Sequence, residues 1–174
     1  PQKGADAADI RRLDAGLAHF AAVIREELGV DVLDMPGAGA AGGMGAGCAA
    51  LLGGALRSGI DAVLDAVGFD AALAGADLVI TGEGRVDSQS VDGKVISGVA
   101  ARTREKGVPL VVIAGGIDDS AAAAYELGVS AMFSTDRAAL SVDKLAGRTA
   151  ADYEATLRDV LRLVRIAEDI GHRT

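Results

Sequence analysis

Three short apolar runs, DLVITG (77–82), PLVVIAGG (109–116) and SAMFST (130–135), each give way to glycine or polar residues. Helical patterns over 94–106 and 120–127 separate them. Strand, helix, strand, helix, strand with connections this short is the pattern of a parallel sheet with right-handed crossovers. The pattern predicts an α/β fold with strands near 77–81, 110–114 and 131–134 and helices on the faces. The interior must be built from small side chains, because aromatics make up 3% of the 174 residues and Trp is absent. Ala, Val, Leu and Gly suit helices packed closely on such a sheet.

The part before residue 68 reads differently. Asp6 or Asp9 can cap a helix whose apolar face is Ile10, Leu13, Leu17, Phe20, Ile24 and Leu28, and Gly29 ends it. A short extended piece, Val30 to Met35, leads into PGAGAAGGMGAG (36–47). Two more helices are expected near 43–56 and 60–67, and a last one over 151–170 with Tyr153, Leu157, Val160, Leu161, Val164 and Ala167 on one face. The boundary between a helical first part (1–67) and an α/β second part (68–174) is expected near Gly68 to Gly75.

Charge and cysteine usage exclude several classes. Seventeen Lys and Arg against 25 Asp and Glu give a net charge of -8, which argues against a nucleic-acid or anionic-membrane surface. The single Cys48 allows neither an internal disulfide nor a C-x-x-C pair, so a reducing cytoplasm is the expected compartment. The charge-free run 35–56 is long enough to span a bilayer, but its Gly and Ala bury too little apolar surface for insertion. The start PQKGA, with no initiator Met, reads like a piece of a longer chain.

GAGAAG (37–42) matches the dinucleotide pattern G-x-G-x-x-G. That fingerprint needs an apolar strand running into the first glycine and an acid at the end of the next strand. Here Pro36 separates half-polar VDVLDM from the glycines, and Asp61, nearly at the right spacing, sits in a helical pattern. An NAD-dependent oxidoreductase is therefore the weakest reading, and a Walker A loop lacks its Gly-Lys-Ser/Thr. Two readings fit the spacing equally: glycines that let a helix pack tightly, or a cradle of backbone N–H groups for an anion.

The second informative stretch is TGEGRVDSQSVDGK (81–94), which brings Glu83, Arg85, Asp87, Ser88, Gln89, Ser90, Asp92 and Lys94 just after the first apolar run. In an open parallel sheet, ligands bind beyond the carboxyl ends of the strands. GGIDD (115–119) and STDR (134–137) belong to the same edge. Thr81-Gly82-Glu83-Gly84 reads as a tight turn, with Gly82 and Gly84 free to take positive φ. Carboxylates can hold Mg²⁺ or accept a hydroxyl proton, while Arg and Lys neutralise phosphoryl oxygens. The alternative is a merely solvated loop. A Ser-His-Asp or Cys-His arrangement fits poorly, since His19 and His172 are the only histidines.

PQKGA, PGAGAAGGMGA, LVITGEGRVDSQS, GKV (93–95) and VIAGG (112–116) follow one another as in the type I family of bacterial glycerate kinases, which this chain resembles over nearly its whole length. The resemblance implies ATP-dependent phosphorylation of D-glycerate with Mg²⁺, usually at the 2-hydroxyl. It implies a Rossmann-like domain carrying an inserted second α/β domain, with the active site in the cleft between them. It places this chain as the C-terminal part: 1–67 the end of the inserted domain, 68–174 the later strands of the Rossmann-like domain. Such a part alone is expected to lack appreciable activity. In these terms Asp87 is the first candidate for catalytic base or metal carboxylate, and Glu83 the second. Arg85 and Lys94 neutralise charge, Ser88 and Gln89 contact substrate, and Gly37, Gly39, Gly42 and Gly43 offer backbone amides to substrate or nucleotide. An anion- or nucleotide-binding module without chemistry is the rival from another class.

Overall fold

The computed structural model describes residues 4–87, 95–138 and 147–172. The three apolar runs pair in parallel in the order β1-β2-β3, with β1 Val79–Val86, β2 Leu110–Ile117 and β3 Val129–Ser134. Leu110 to Ala114 of β2 are all buried, as expected of a central strand covered on both faces. One face packs Leu110, Val112 and Ala114 against Ile96, Val99 and Ala100 of α5 (Val95–Lys106). The other packs Val111 and Ile113 against Val160 of the long helix α7 (Thr149–Gly171). Each fully buried Val or Ile contributes about 1.5–3 kcal/mol, so these two layers hold the sheet.

The chain divides into two compact units, Pro1–Arg57 and Ser58–Thr174. The division falls before α3 (Gly59–Ala66), because Ile60 and Leu64 of that helix pack into the sheet's core. Gly98 makes this possible: a Cβ there would lie 2.5 Å from Ile60 Cγ1. Arg102 then ties α5 to α3 and to α4 (Phe69–Leu73), donating to Asp65 at 2.8 Å, Asp70 at 2.6 Å and Asp61 at 3.4 Å. Those three carboxylates, Asp65 foremost, raise the Arg102 pKa further.

In the first unit, α1 (Ala7–Leu28) starts at Asp6, whose carboxylate accepts from the N–H groups of Ala8 and Asp9 while Asp9 answers to the Asp6 N–H. Gly29, at φ 69, ends it. Of the apolar face read from the sequence only Ile24 is buried; Leu13 is 57% exposed. The core that Ile24 joins is made of Ala21, Val32, Ala38 and Ala46, which are mostly too small to cover the whole stripe. Val30 to Met35 forms turns and no strand: Asp31 accepts from the Leu33 N–H at 3.1 Å, and the Met35 N–H bonds back to Val32. Helix α2 (Ala40–Leu52) is regular only after Gly43, since Ala41, Gly42 and Gly43 form a left-handed turn.

On α7 the buried residues are Asp152, Thr156 and Val160, with Leu157 packed beside Val160. Val160 and Leu157 of the expected stripe therefore face the core, while Asp152 and Thr156 lie outside that stripe. Tyr153 and Leu161 are exposed. Between β2 and β3 run a 3₁₀ turn, Asp119–Ala122, and α6, Ala123–Leu127.

Candidate active site at the carboxyl edge of the sheet

β1 does not end where its apolar run ends. The expected tight turn at 81–84 is absent: Gly82 and Gly84 have no positive φ and continue the strand to Val86. The reason is the neighbouring strand. Pairing carries on through Gly82↔Ile113, Glu83↔Ala114, Arg85↔Gly116 and Val86↔Ile117. Close approach of backbone, rather than a turn, calls for glycine at Gly82 and, on β2, at Gly115. A Cβ on Gly82 would lie 2.8 Å from the Ile113 carbonyl oxygen, and one on Gly115 would overlap the Gly84 carbonyl oxygen.

This extension fixes the polar side chains on a strand. Glu83 lies within β1, opposite Ala114, and Asp87 is the first residue beyond it. The Glu83 side chain turns inward enough that Oε2 is fully buried, and it has no hydrogen-bond partner among the described residues. A buried carboxylate oxygen left without a donor is costly. Ser88, Gln89 and Lys94 lie outside the described residues.

Arg85 reaches across to the end of β2, where Nη2 donates to Asp118 Oδ2 at 2.9 Å. The guanidinium, with help from the Ser120 N–H, holds the Asp118 carboxyl below the usual carboxylate range. Asp118 is itself anchored, its N–H donating to the Val86 carbonyl at 2.9 Å. On the far side of β2, Ser134 Oγ donates to the Gly115 carbonyl at 3.2 Å and accepts from the Asp136 N–H at 3.0 Å. The ends of all three strands are therefore clipped together around Gly115 and Gly116. Arg137 turns toward α7 instead, pairing with Asp159 at 2.9 Å.

Sequence reasoning named the GGIDD and STDR stretches as part of this edge but selected none of their residues. Asp118 is the residue it missed: its stretch was placed at this edge, but only the pairing of β1 with β2 brings Arg85 to it.

The glycine run belongs to the first unit. Gly37, Gly42 and Gly43 have φ of 85, 70 and 87, while Gly39 is right-handed at -76. Several amides of the run are satisfied within it: Ala38 bonds to Met35, Ala40 to Gly37, Gly43 to Gly39 and Ala46 to Ala38. Gly43 is buried, and a Cβ there would lie 2.9 Å from Leu17 Cδ2. Gly39 and Gly43 also line a cavity of about 250 Å³ with Leu17, Phe20, Val32 and Ala38. With no strand before the run among the described residues, the dinucleotide fingerprint lacks its framework.

Among the described residues no group of three or more His, Cys, Asp or Glu could hold a metal. No helix among them is long and apolar enough to cross a membrane.

The polar side chains of β1 and of the turn after β2 thus gather at the carboxyl edge of a parallel sheet, where ligands bind in open α/β sheets. Residues 1–165 match the model of the Glycerate kinase family, and the chain belongs to that family. It is 49% identical over 144 residues to a glycerate kinase of Halalkalibacterium halodurans, covering 83% of this chain and 38% of that one. It is 49% identical over 134 residues to the glycerate 2-kinase of Escherichia coli K12, covering 77% of this chain and 35% of that one. A crystal structure described as a candidate glycerate kinase 2 from Salmonella typhimurium LT2 superposes with TM-score 0.70 at 41% identity, over 97% of this chain and 43% of the other. The chain thus spans less than half the length of these relatives. The expectation that it is their C-terminal part is not borne out by these matches.

Proposed function

We propose that the protein of which this chain forms at least a part transfers the γ-phosphoryl group of ATP to the 2-hydroxyl of D-glycerate. The observation that supports the reading is the β1 end: Glu83 and Arg85 lie near the carboxyl end of the strand with Asp87 just beyond it, and a Glu83 oxygen is buried there with no hydrogen-bond partner among the described residues. The names of the relatives, glycerate kinase and glycerate 2-kinase, supply the substrate class and the position of attack.

Phosphoryl transfer asks a protein to position two groups in line and to neutralise charge. Asp87, beyond the strand end, accepts the proton of the glycerate hydroxyl as its oxygen bonds to the γ-phosphorus, and the bond to the ADP oxygen breaks. Glu83 is the second candidate for that base. Arg85 faces the charge on the transferring oxygens. Gly37, Gly39, Gly42 and Gly43 remain candidates for backbone contacts to an anionic group, and Ser88, Gln89 and Lys94 for polar and charged contacts.

Mg²⁺ fits the donor set, since this ion is commonly held by one or two carboxylates plus phosphate oxygens. Asp87 or Glu83 would supply the protein carboxylate, and the ion would neutralise phosphate charge. The cytoplasm, where ATP is available, is the proposed compartment. The helical first unit is read as belonging to an inserted domain.

The test is glycerate-dependent ADP release by the complete gene product, with the phosphorylated position identified by ³¹P NMR. Formation of 2-phosphoglycerate is expected. Binding of ATP or glycerate without ADP release would leave an anion-binding module in place of a kinase.

A further inference from the structure

Arg85 is a long side chain with 70% of its surface exposed, and left to itself it would sample many rotamers. A cation meant to meet a transferring phosphoryl group must be aimed, because misplacement costs rate. We propose that Asp118 is the positioning residue that aims the Arg85 guanidinium over the carboxyl edge of the sheet. This rests on the reading of Arg85 as the charge-neutralising group of a phosphoryl-transfer site.

The geometry divides the two oxygens of Asp118 between two tasks. Oδ1 accepts from the Ser120 N–H at 3.3 Å and from Ser120 Oγ at 3.4 Å, capping the 3₁₀ turn. Oδ2 accepts from Arg85 Nη2 at 2.9 Å. With its own N–H bonded to Val86, Asp118 is fixed to the sheet and to the turn before it meets Arg85. Gly116, opposite Arg85 in the register, leaves the arginine stem a clear path: a Cβ there would come only to 3.9 Å from Arg85 Cγ. An ion pair this exposed adds little to stability, so what the contact supplies is direction. The Arg85 hydrogen bond holds the Asp118 carboxyl below its ordinary value, so the pairing favours its ionised form.

Asp118→Asn is the informative variant, because an amide oxygen can still cap the turn while the charge facing Arg85 is gone. In the complete gene product it should lower kcat about 10-fold, with KM for glycerate within about 2-fold and an unchanged Tm. In an Arg85→Ala background the same change should have no further effect on kcat, as expected of residues acting through one contact. Asp118→Glu should restore part of the loss. A wild-type kcat for Asp118→Asn, or losses that multiply in the double variant, would overturn the proposal. A wild-type kcat for Arg85→Ala would instead overturn the reading of Arg85 itself, and the positioning role with it.

Discussion

A Cβ on Gly115 would land on the carbonyl oxygen of Gly84, so β1 and β2 can run side by side at this level only with glycine at 115. Gly84 itself looks into open space and has no positive φ. Gly115→Ala should therefore push the end of β1 outward, costing about 1–3 kcal/mol, and carry Glu83 and Arg85 out of place. Gly84→Ala should stay within about 0.5 kcal/mol of the parent. Melting curves and ADP-release assays on the pair test this; equal behaviour of the two variants would refute the close-approach argument.

The two carboxylates should separate in a different way. Asp87→Asn in the complete gene product is expected to reduce kcat about 10²-fold or more if Asp87 is the base. An unimpaired enzyme would remove Asp87 from the chemistry. Glu83 holds an oxygen that is buried without a partner among the described residues, so replacing it by an apolar residue of similar length should relieve that cost. Glu83→Met is expected to raise Tm while lowering activity, the trade expected of a site residue. A lower Tm would show that Glu83 is held by structure rather than kept for a ligand.

Three glycines of the run can be told apart by geometry. Gly43 combines φ 87 with a Cβ position 2.9 Å from Leu17, so Gly43→Ala should destabilise the first unit through both strain and overlap. At Gly42, φ 70 with open space leaves strain alone, about 1–2 kcal/mol. Gly39 is right-handed and 3.9 Å from Leu17, so Gly39→Ala should fold normally. Calorimetric titration of Gly39→Ala with ATP and with glycerate then decides the role of the run. Lost binding at unchanged Tm would support ligand contact, and unaltered binding would leave packing as its function.

The parallel sheet was legible because its central strand is buried on both faces, which writes a continuous apolar run into 110–114. The first helix was legible for a local reason, the Asp6–Asp9 capping pair and Gly29. What the sequence hid depends on neighbours distant in the chain. TGEG carries the composition of a turn, yet it is strand because β2 offers partners as far as Ile117. Asp118 looks like any loop acid until β1 brings Arg85 to it across 33 positions. The α7 stripe was legible only at Leu157 and Val160, because the polar Asp152 and Thr156 occupy buried places that hydrophobic periodicity assigns to apolar residues. The grouping of Glu83, Arg85 and Asp87 at one edge was legible, since β1 carries the first two and ends one residue before the third.

That buried acid yields the last prediction. The Asp152 side chain is 8% exposed and is gripped by Arg148, with Nη2 at 2.9 Å from Oδ1 and Nε at 3.1 Å from Oδ2. The Arg148 hydrogen bonds, stronger here than the opposing effect of burial, hold its carboxyl below the ordinary value of 3.8. Folding therefore favours the ionised form. The resulting stability is fully present above the unfolded value and is lost as pH falls through the lower folded one. Asp152→Asn should lower Tm at neutral pH, and the gap to the parent should close as pH falls below the ordinary carboxylate value and through the lower folded one. Asp118 and Asp159 are also held low by arginines, Arg85 and Arg137, but at exposed positions where salt screens the effect. The Asp152 gap should thus survive high salt at neutral pH. A gap that is constant with pH, or one abolished by salt, would show that the Arg148 pair behaves as an ordinary surface contact.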